Sequence, residues 1–261
     1  MDFIKEMPAI RWKDGEYEEV CEKTVQDENI VFYIDSLPPR KFSTFPRDLD
    51  DFAVGYCLGD GLVDELEDIL SIDIEGKKIF IKTRFSHGDD DGIKEESDIL
   101  GYQSVMSDSA GGWRSELKNI EVNDSDLKVD ASDVIKNMKR LTAKAETWQA
   151  TGSVHVAQLV YGDQYITRED VSRHVAVDKV IGAAAKKGFD LSRCYVCYSG
   201  RMPADMLIKI VRVGIPILVS NAAPAGSGYE IAKKGNITMI GFVRGDRFNL
   251  YSAFERVNLD K

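Results

Sequence analysis

The sequence is short of the residues that most metal and disulfide sites require. It holds four cysteines and three histidines among 261 residues. No apolar run reaches the ~18 residues that a membrane-spanning helix needs. The first residues, MDFIKEMPAIRW, contain no apolar core of the kind found in secretory signals. These absences predict a cytoplasmic protein with free thiols at Cys21, Cys57, Cys194 and Cys197.

An excess of basic residues is also lacking, since the net charge is −10. That balance argues against binding to nucleic acid or to anionic membranes. The charge is unevenly spread, with an acidic block around residues 89–98 and few acids in the C-terminal part. Arginines in that part leave a site for a small anionic ligand open, among them Arg201, Arg212, Arg244 and Arg247.

The first part of the chain is patterned as a small α+β domain. Asp14-Gly15 is a hairpin signal, and residues 30–34 form a clear strand. A helix is predicted from Leu49 to Gly59, with Asp48 as its cap and Cys57 on its buried face. Residues 70–74 and 78–82 indicate a second hairpin. We place this domain at residues 1–115 and include in it a flexible acidic loop at about 85–115.

Residues 116–261 alternate strands with helices. Helical patterns cover 130–144, 175–187, 203–213 and 227–234, and apolar strands cover 194–198, 217–220 and 238–243. Such alternation predicts βαβ units and a largely parallel sheet with helices on both faces, a three-layer α/β/α sandwich.

The stretch at 151–179 holds two of the three histidines and a dense set of charges. Alternating apolar residues from 154 to 160 predict a strand, and Gly162-Asp163 supplies a turn. We interpret the charges that follow as a loop before a helix, whose N-terminus attracts anions. A solvated cluster of salt bridges is the alternative. The residues concerned are Arg168, Glu169, Asp170, Arg173, His174 and Asp178.

Two arginine-bearing turns follow predicted strands. Ser199-Gly200-Arg201 combines a glycine, which lets a ligand approach the backbone closely, with a guanidinium that can bind phosphate. A plain strand-to-helix turn is the alternative. The second turn suits a pyrophosphate or a guanine nucleotide, with its aromatic ring available for stacking or core packing. By the rule for open α/β sheets, both turns should open onto one rim. The second turn comprises Phe242, Val243, Arg244, Gly245, Asp246 and Arg247.

Metal chemistry finds little support. Cys194 and Cys197 form a CxxC inside an apolar strand, where residues three apart point to opposite faces. His155 is followed two residues later by Ala157, whereas zinc deaminases carry a glutamate there. We therefore expect no zinc and no deaminase reaction. His155 is then either a core histidine or part of a ligand site, and His87 is a solvated histidine rather than a ligand.

Five blocks of sequence, in order, resemble one known family. They read TGSVHVA, TREDVSRHVAVDKVIGA, SGRMPADM, VGIPILVSNAAP and GFVRGDRFNLY, and FPRDLDDFAVGYCLGDGLV is similar to that family's N-terminal helix motif. The family is that of the formate dehydrogenase accessory proteins, FdhD/NarQ. The resemblance covers nearly the whole chain, from about residue 30 to residue 251.

The resemblance implies a fold, a function and partners. Its C-terminal domain would have a cytidine-deaminase-like fold without zinc. The function would be sulfur transfer from a cysteine desulfurase to the molybdenum or tungsten of bis-molybdopterin guanine dinucleotide. The client would be formate dehydrogenase, and the protein would be a homodimer. The segment from Phe242 to Arg247 would belong to cofactor binding.

One departure from the family concerns the sulfur-carrying cysteine. Its position is taken by Ala110, which has no nucleophile. The chain is then a natural variant that binds cofactor without transferring sulfur, an engineered form, or a carrier that uses another thiol, Cys21 or Cys194. The rival function is a non-catalytic cofactor-binding or assembly module. The loop concerned is Ser107, Asp108, Ser109, Ala110, Gly111, Gly112 and Trp113.

Overall fold

The computed structural model describes residues 3–84 and 120–259. Its N-terminal part contains two small sheets and one helix. One sheet is a hairpin of two strands, and the other has four strands in the spatial order Arg40–Thr44, Glu28–Ile34, Lys78–Thr83 and Ile69–Glu75. The elements are β1 (Ile4–Lys13), β2 (Glu16–Val25), β3 (Glu28–Ile34), β4 (Arg40–Thr44), α1 (Leu49–Gly59), β5 (Ile69–Glu75) and β6 (Lys78–Thr83), with a 3-10 turn at Leu66–Asp68.

The C-terminal part alternates strands and helices as predicted. Its elements are β7 (Val129–Asp130), α2 (Ala131–Ala143), α3 (Glu146–Thr151), β8 (His155–Tyr161), β9 (Gln164–Asp170), α4 (Arg173–Lys186), β10 (Cys194–Tyr198), α5 (Ala204–Arg212), β11 (Ile217–Ser220), α6 (Gly226–Lys234), β12 (Thr238–Arg244), β13 (Arg247–Ser252) and β14 (Val257–Asn258). Two further 3-10 turns cover Leu191–Arg193 and Phe254–Arg256.

The main sheet has six strands in the order β13-β12-β11-β10-β8-β9. Only β10–β11 and β11–β12 are parallel neighbours, and the other three pairings are antiparallel. The prediction of a largely parallel sheet was therefore wrong. The reason is that β8–β9 and β12–β13 are hairpins, and a two-residue turn can join only antiparallel strands.

Helices cover both faces of this sheet, as the three-layer prediction required. One face packs against α4, α5 and α6, and the other against α2. Cys194 faces the first layer and Cys197 the second, so the two thiols of the CxxC point apart as expected. Cys57 is fully buried on α1, which confirms its predicted place in the core.

The core on the α4 side continues into the N-terminal part. Phe32 and Ile79 of the four-stranded sheet, Phe52 of α1 and Val180 of α4 belong to one cluster of buried residues. The division into domains at residue 115 lies outside the described residues and stays a prediction. No helix in 3–84 or 120–259 has the length and apolarity that a membrane crossing requires.

Two local predictions need correction. Helix α1 begins where expected, but Asp48 has φ 53° and its side chain makes no capping hydrogen bond.

The charged segment after β8 is not a loop. Arg168, Glu169 and Asp170 complete β9, pairing with residues 155–157, and Arg173 starts α4. The charges of Arg168, Glu169 and Asp170 are satisfied by partners outside the strand, so these residues can form part of β9.

Candidate functional site

Both arginine-bearing turns lie at the same end of the strands of the main sheet, as the sequence predicted. Hydrogen bonds connect the loops at this end, which we call the rim and define by His155, residues 199–201, residues 221–224 and residues 242–247. Ser220 Oγ donates to the Gly200 carbonyl at 2.6 Å, and the Phe242 amide donates to the Ala222 carbonyl at 3.1 Å. The loops after β10, β11 and β12 therefore form one surface.

His155 enters the rim from the start of β8. Its Nδ1 lies 2.9 Å from the Ser199 carbonyl oxygen, which can only accept, so Nδ1 carries the proton. Burial lowers the pKa of His155, and the nearby charges of Arg173 and His174 lower it further, against the Ser199 hydrogen bond. The imidazole is therefore neutral near pH 7 and leaves Nε2 as a hydrogen-bond acceptor.

Gly200 is required by close contacts with two side chains. A Cβ at this position would lie 2.8 Å from Tyr198 Cε2 and 3.0 Å from Arg173 Cδ. The glycine therefore lets Arg173, the first residue of α4, lie under the turn. Arg201 follows with an exposed side chain.

The turn at the end of β12 has the features of a ligand-binding segment. Phe242 adopts φ 53° beside a register shift, a strained state for an aromatic residue that clusters at functional sites. Arg244 and Arg247 face each other across the strand pair, and the Arg244 guanidinium lies 5.8 Å from the centroid of the Phe242 ring. Arg244 Nε donates to the Asn221 carbonyl at 3.3 Å, which orients the guanidinium at the rim.

Three residues of the predicted charged loop form ion pairs and hydrogen bonds with other elements of the chain and do not line the rim. Arg168 pairs with Asp51 of α1 at 2.7 Å, and Glu169 accepts from two amides at the start of α3. Asp170 is fully buried and accepts from the Phe45 amide and from Lys179. Their assignment to cofactor binding stays a prediction, and these contacts give them a structural role.

His174 and Asp178 line a separate cavity of about 540 Å³ beside the rim. It lies between β4, the end of α1 and the facing sides of α4 and α5. His174 Nε2 lies 2.9 Å from Asp205 Oδ2, so the start of α4 is tied to the start of α5. The other charged residues that line it are Arg40, Lys41, Asp60, Lys209 and Arg212.

The floor of this cavity is a buried ionic group. Lys209 Nζ lies 2.6 Å from Asp178 and 2.9 Å from Asp60. Burial raises the pKa of Asp178 to about 7, with Lys209 opposing and Asp60 adding to the rise. Burial alone would lower the pKa of Lys209, but the two carboxylates bring it above its ordinary value. One carboxylate is enough to neutralise Lys209, and we expect Asp178 to be the one that titrates.

A larger cavity, of about 620 Å³, lies at the opposite end of the strands from the rim. It is lined by Arg140 of α2, Tyr195 at the start of β10 and the turn at 162–163. None of the predicted site residues lines it, so it does not contribute to the rim.

The four cysteines differ sharply in exposure. Cys57, Cys194 and Cys197 are fully buried, and burial raises the pKa of Cys57 and of Cys194 to about 12. Burial also raises the pKa of Cys197. Cys21 alone is exposed. Of the two thiols that the sequence offered as alternative sulfur carriers, Cys194 is buried and Cys21 is accessible.

Several contributors to the rim and the cavity were missed from the sequence. Asn221 and Ala222 bind β12 through their backbone carbonyls, which leaves no signature in residue type. Lys209 is hidden within an apolar helix face, although a lone lysine in such a face is a usable signal. His87 and the loop around Ala110 lie outside the described residues.

Comparison with known proteins identifies the family of the chain. The model of the FdhD/NarQ family matches residues 25–258. The Sulfur carrier protein FdhD of Methanothermobacter thermautotrophicus is 46% identical over 257 residues, covering 98% of this chain and 100% of that protein. The chain belongs to the FdhD/NarQ family.

More distant FdhD/NarQ proteins show the same coverage. The Sulfur carrier protein FdhD of Listeria innocua is 29% identical over 266 residues and is matched along its full length. A crystal structure assigned to a formate dehydrogenase accessory protein from Desulfotalea psychrophila superposes with a TM-score of 0.77. It covers 98% of this chain at 20% identity, which shows a shared fold.

Proposed function

We propose that this chain assists formate dehydrogenase maturation by binding a guanine-dinucleotide form of the molybdenum or tungsten cofactor at the rim and by carrying sulfur for its metal. Family membership and the relatives named sulfur carrier proteins support the general role. The proposed binding site rests on one observation: hydrogen bonds join the loops that contain the two arginine-bearing turns into one surface. The cofactor here is the cargo, and the proposed setting is a cytoplasmic homodimer with a cytidine-deaminase-like domain.

The rim supplies groups that suit such a cargo. Arg201, Arg244 and Arg247 offer guanidinium forks for phosphate oxygens. The Phe242 ring offers an apolar surface beside Arg244, and His155 Nε2 offers an acceptor for a base or pterin N–H. These roles need no metal held by the protein itself.

The binding site is tested by titrating GDP into wild type and into an Arg244→Ala, Arg247→Ala double variant. Loss of two charge-assisted contacts should weaken binding by at least about tenfold. Lys139→Ala is the matched control, because Lys139 pairs with Asp246 in the same turn but leaves both arginines in place. Equal affinity of the double variant and wild type would mean that the pocket is elsewhere.

We assign the proposed sulfur carriage to Cys21, because it is the exposed thiol and the other three are buried. The Cys21 thiolate would attack the terminal sulfur of a donor cysteine persulfide, the S–S bond would break, and the donor thiolate would leave. The exchange conserves electrons and leaves a persulfide on Cys21. Incubation with a cysteine desulfurase and cysteine should add the mass of one sulfur atom to wild type and none to Cys21→Ala.

The missing cysteine at position 110 favours one rival function, a module that binds and delivers cofactor without carrying sulfur. That rival predicts intact GDP binding with no sulfur adduct on any thiol. The two measurements together therefore separate the carrier from the assembly module.

A further inference from the structure

The hairpin of β1 and β2, which we call the arm, stands apart from both larger sheets. It is anchored at its base, where Val25 is buried against Phe45 and Val154 and its amide donates to Ser153 Oγ at 3.3 Å. Beyond the base almost every residue is exposed. Two-stranded sheets are marginally stable alone in water. An arm of two ten-residue strands therefore gains stability from anything that covers it.

The two faces of the arm differ in chemistry. On one face Arg11 pairs with Glu18 at 3.0 Å and with Glu22 at 2.6 Å, so the charges there are mutually satisfied. The opposite face, which we call the apolar face, carries three cross-strand pairs at its outer half. They are Pro8 with Cys21, Ile10 with Glu19, and Trp12 with Tyr17.

The apolar face is unusually exposed for such large side chains. Ile10, Trp12 and Tyr17 are 70%, 71% and 76% exposed. The two aromatic residues alone leave roughly 200–350 Å² open to water, which approaches the largest apolar patch of a typical monomer, and such patches are often functional. Together with the marginal stability of an isolated hairpin, this exposure points to a protein partner.

The charge of the apolar face restricts that partner. Glu6 and Lys23 stand opposite each other in the ladder, which leaves Glu19, paired with Ile10, without a basic cross-strand neighbour. A second copy of this chain would bring a second Glu19 to the interface. A partner with apolar side chains and a lysine or arginine facing Glu19 fits better, because opposite charges across an interface fix its register.

Cys21, the exposed thiol, lies on this same face beside Pro8. We infer that the apolar face of the arm is the docking surface for the sulfur-donating protein, a cysteine desulfurase with a basic, apolar patch, and that it brings the donor to Cys21. This inference rests on the proposed function and names the partner surface for its sulfur-loading step.

The test is calorimetric titration of the host cysteine desulfurase into the full chain. An Ile10→Ser, Trp12→Ser double variant should bind at least about tenfold more weakly, as expected when a central aromatic anchor is removed. Glu19→Lys, a single exposed substitution that cannot unfold the core, should also weaken binding, and more so at low salt. The matched control is Met7→Ser, Ala9→Ser on the charged face, which should change affinity by less than about twofold.

Three results would overturn the inference. They are absence of binding by wild type, equal binding by the double variant, and a wild-type dimer in sedimentation that the double variant breaks, which would make a second copy the occupant. Sodium polysulfide loads an accessible thiol without a partner protein. If polysulfide loads Cys21 of wild type but the desulfurase does not bind wild type, only the docking surface is contradicted, whereas failure of both contradicts the proposed sulfur carriage.

Discussion

Gly55 on α1 and Gly182 on α4 meet where the two helices touch backbone to backbone. A Cβ at Gly55 would lie 1.8 Å from the Asp178 carbonyl oxygen, and one at Gly182 would lie 2.0 Å from that of Asp51. No side chain can move aside to relieve such a contact. This crossing sets the position of the N-terminal part on the helix that carries His174 and Asp178.

Gly55→Ala should therefore destabilise the protein by about 2–3 kcal/mol, because a methyl group forces the helices apart. Gly226→Ala is the control, since a Cβ there meets no atom within 4 Å and the glycine has no positive φ. That control should be neutral or stabilising by up to about 1 kcal/mol. Urea unfolding measures both, and a Gly55→Ala variant as stable as the control would contradict the close crossing.

Lys179 forms a second connection between the two parts of the chain. Its Nζ lies 2.7 Å from Asp170 and 2.8 Å from the Phe45 carbonyl, and both charged side chains are fully buried. Lys179→Met leaves a buried carboxylate without its cation and should cost about 3–5 kcal/mol.

The matched change is Lys186→Met, since the partly exposed Lys186 pairs with the exposed Asp50 and with the buried Asp51, which keeps Arg168 as a second cation. It should cost no more than about 1 kcal/mol. Thermal unfolding compares the two variants. A similar loss from both would mean that the buried pair adds nothing beyond a surface pair.

Asp178 should make stability depend on pH. Its pKa rises from an ordinary 3.8 to about 7 on folding, so its contribution is fully present below about pH 4 and is lost as the pH rises toward 7. Relative to Asp178→Asn, wild type should lose on the order of 2–4 kcal/mol of unfolding free energy between pH 4 and pH 7. The measurement is urea unfolding across that range, and parallel pH curves for the two proteins would refute the shift.

Thiol labelling should distinguish Cys21 from the other cysteines. Because Cys57, Cys194 and Cys197 are buried with raised pKa values, iodoacetamide should modify one site on the native protein. Peptide mass analysis should place that site at Cys21, and denaturant should open all four. Native labelling at Cys194 would restore it as an alternative sulfur carrier.

Local sequence signals located most of the elements. The helix at Leu49–Gly59 and the hairpin at Asp14-Gly15 follow from periodicity and turn chemistry, which act over a few residues. The same signals failed at Arg168 to Asp170. A run of charges indicates a loop unless partners far along the chain satisfy it, as Asp51 does here for Arg168 and the Phe45 amide does for Asp170.

The rim was predictable in outline and the cavity was not. Strand ends carrying Arg201 and Arg244 converge by a topological rule that needs only the order of elements. The approach of Lys209 to Asp60 joins residues 149 positions apart. A lone lysine in an apolar helix face indicates a buried partner, but nothing in its neighbourhood identifies Asp60.

The sequence by itself determined most of the element types, the absence of a cysteine at position 110, the opposed directions of the CxxC thiols and the family, since these depend on residue identity and short-range geometry. Only the tertiary structure decided that Cys21 is the exposed thiol, that it shares a face with Trp12 and Tyr17, and that Asp178 is buried against Lys209. Exposure and pKa depend on what covers a residue, and the covering atoms come from distant parts of the chain.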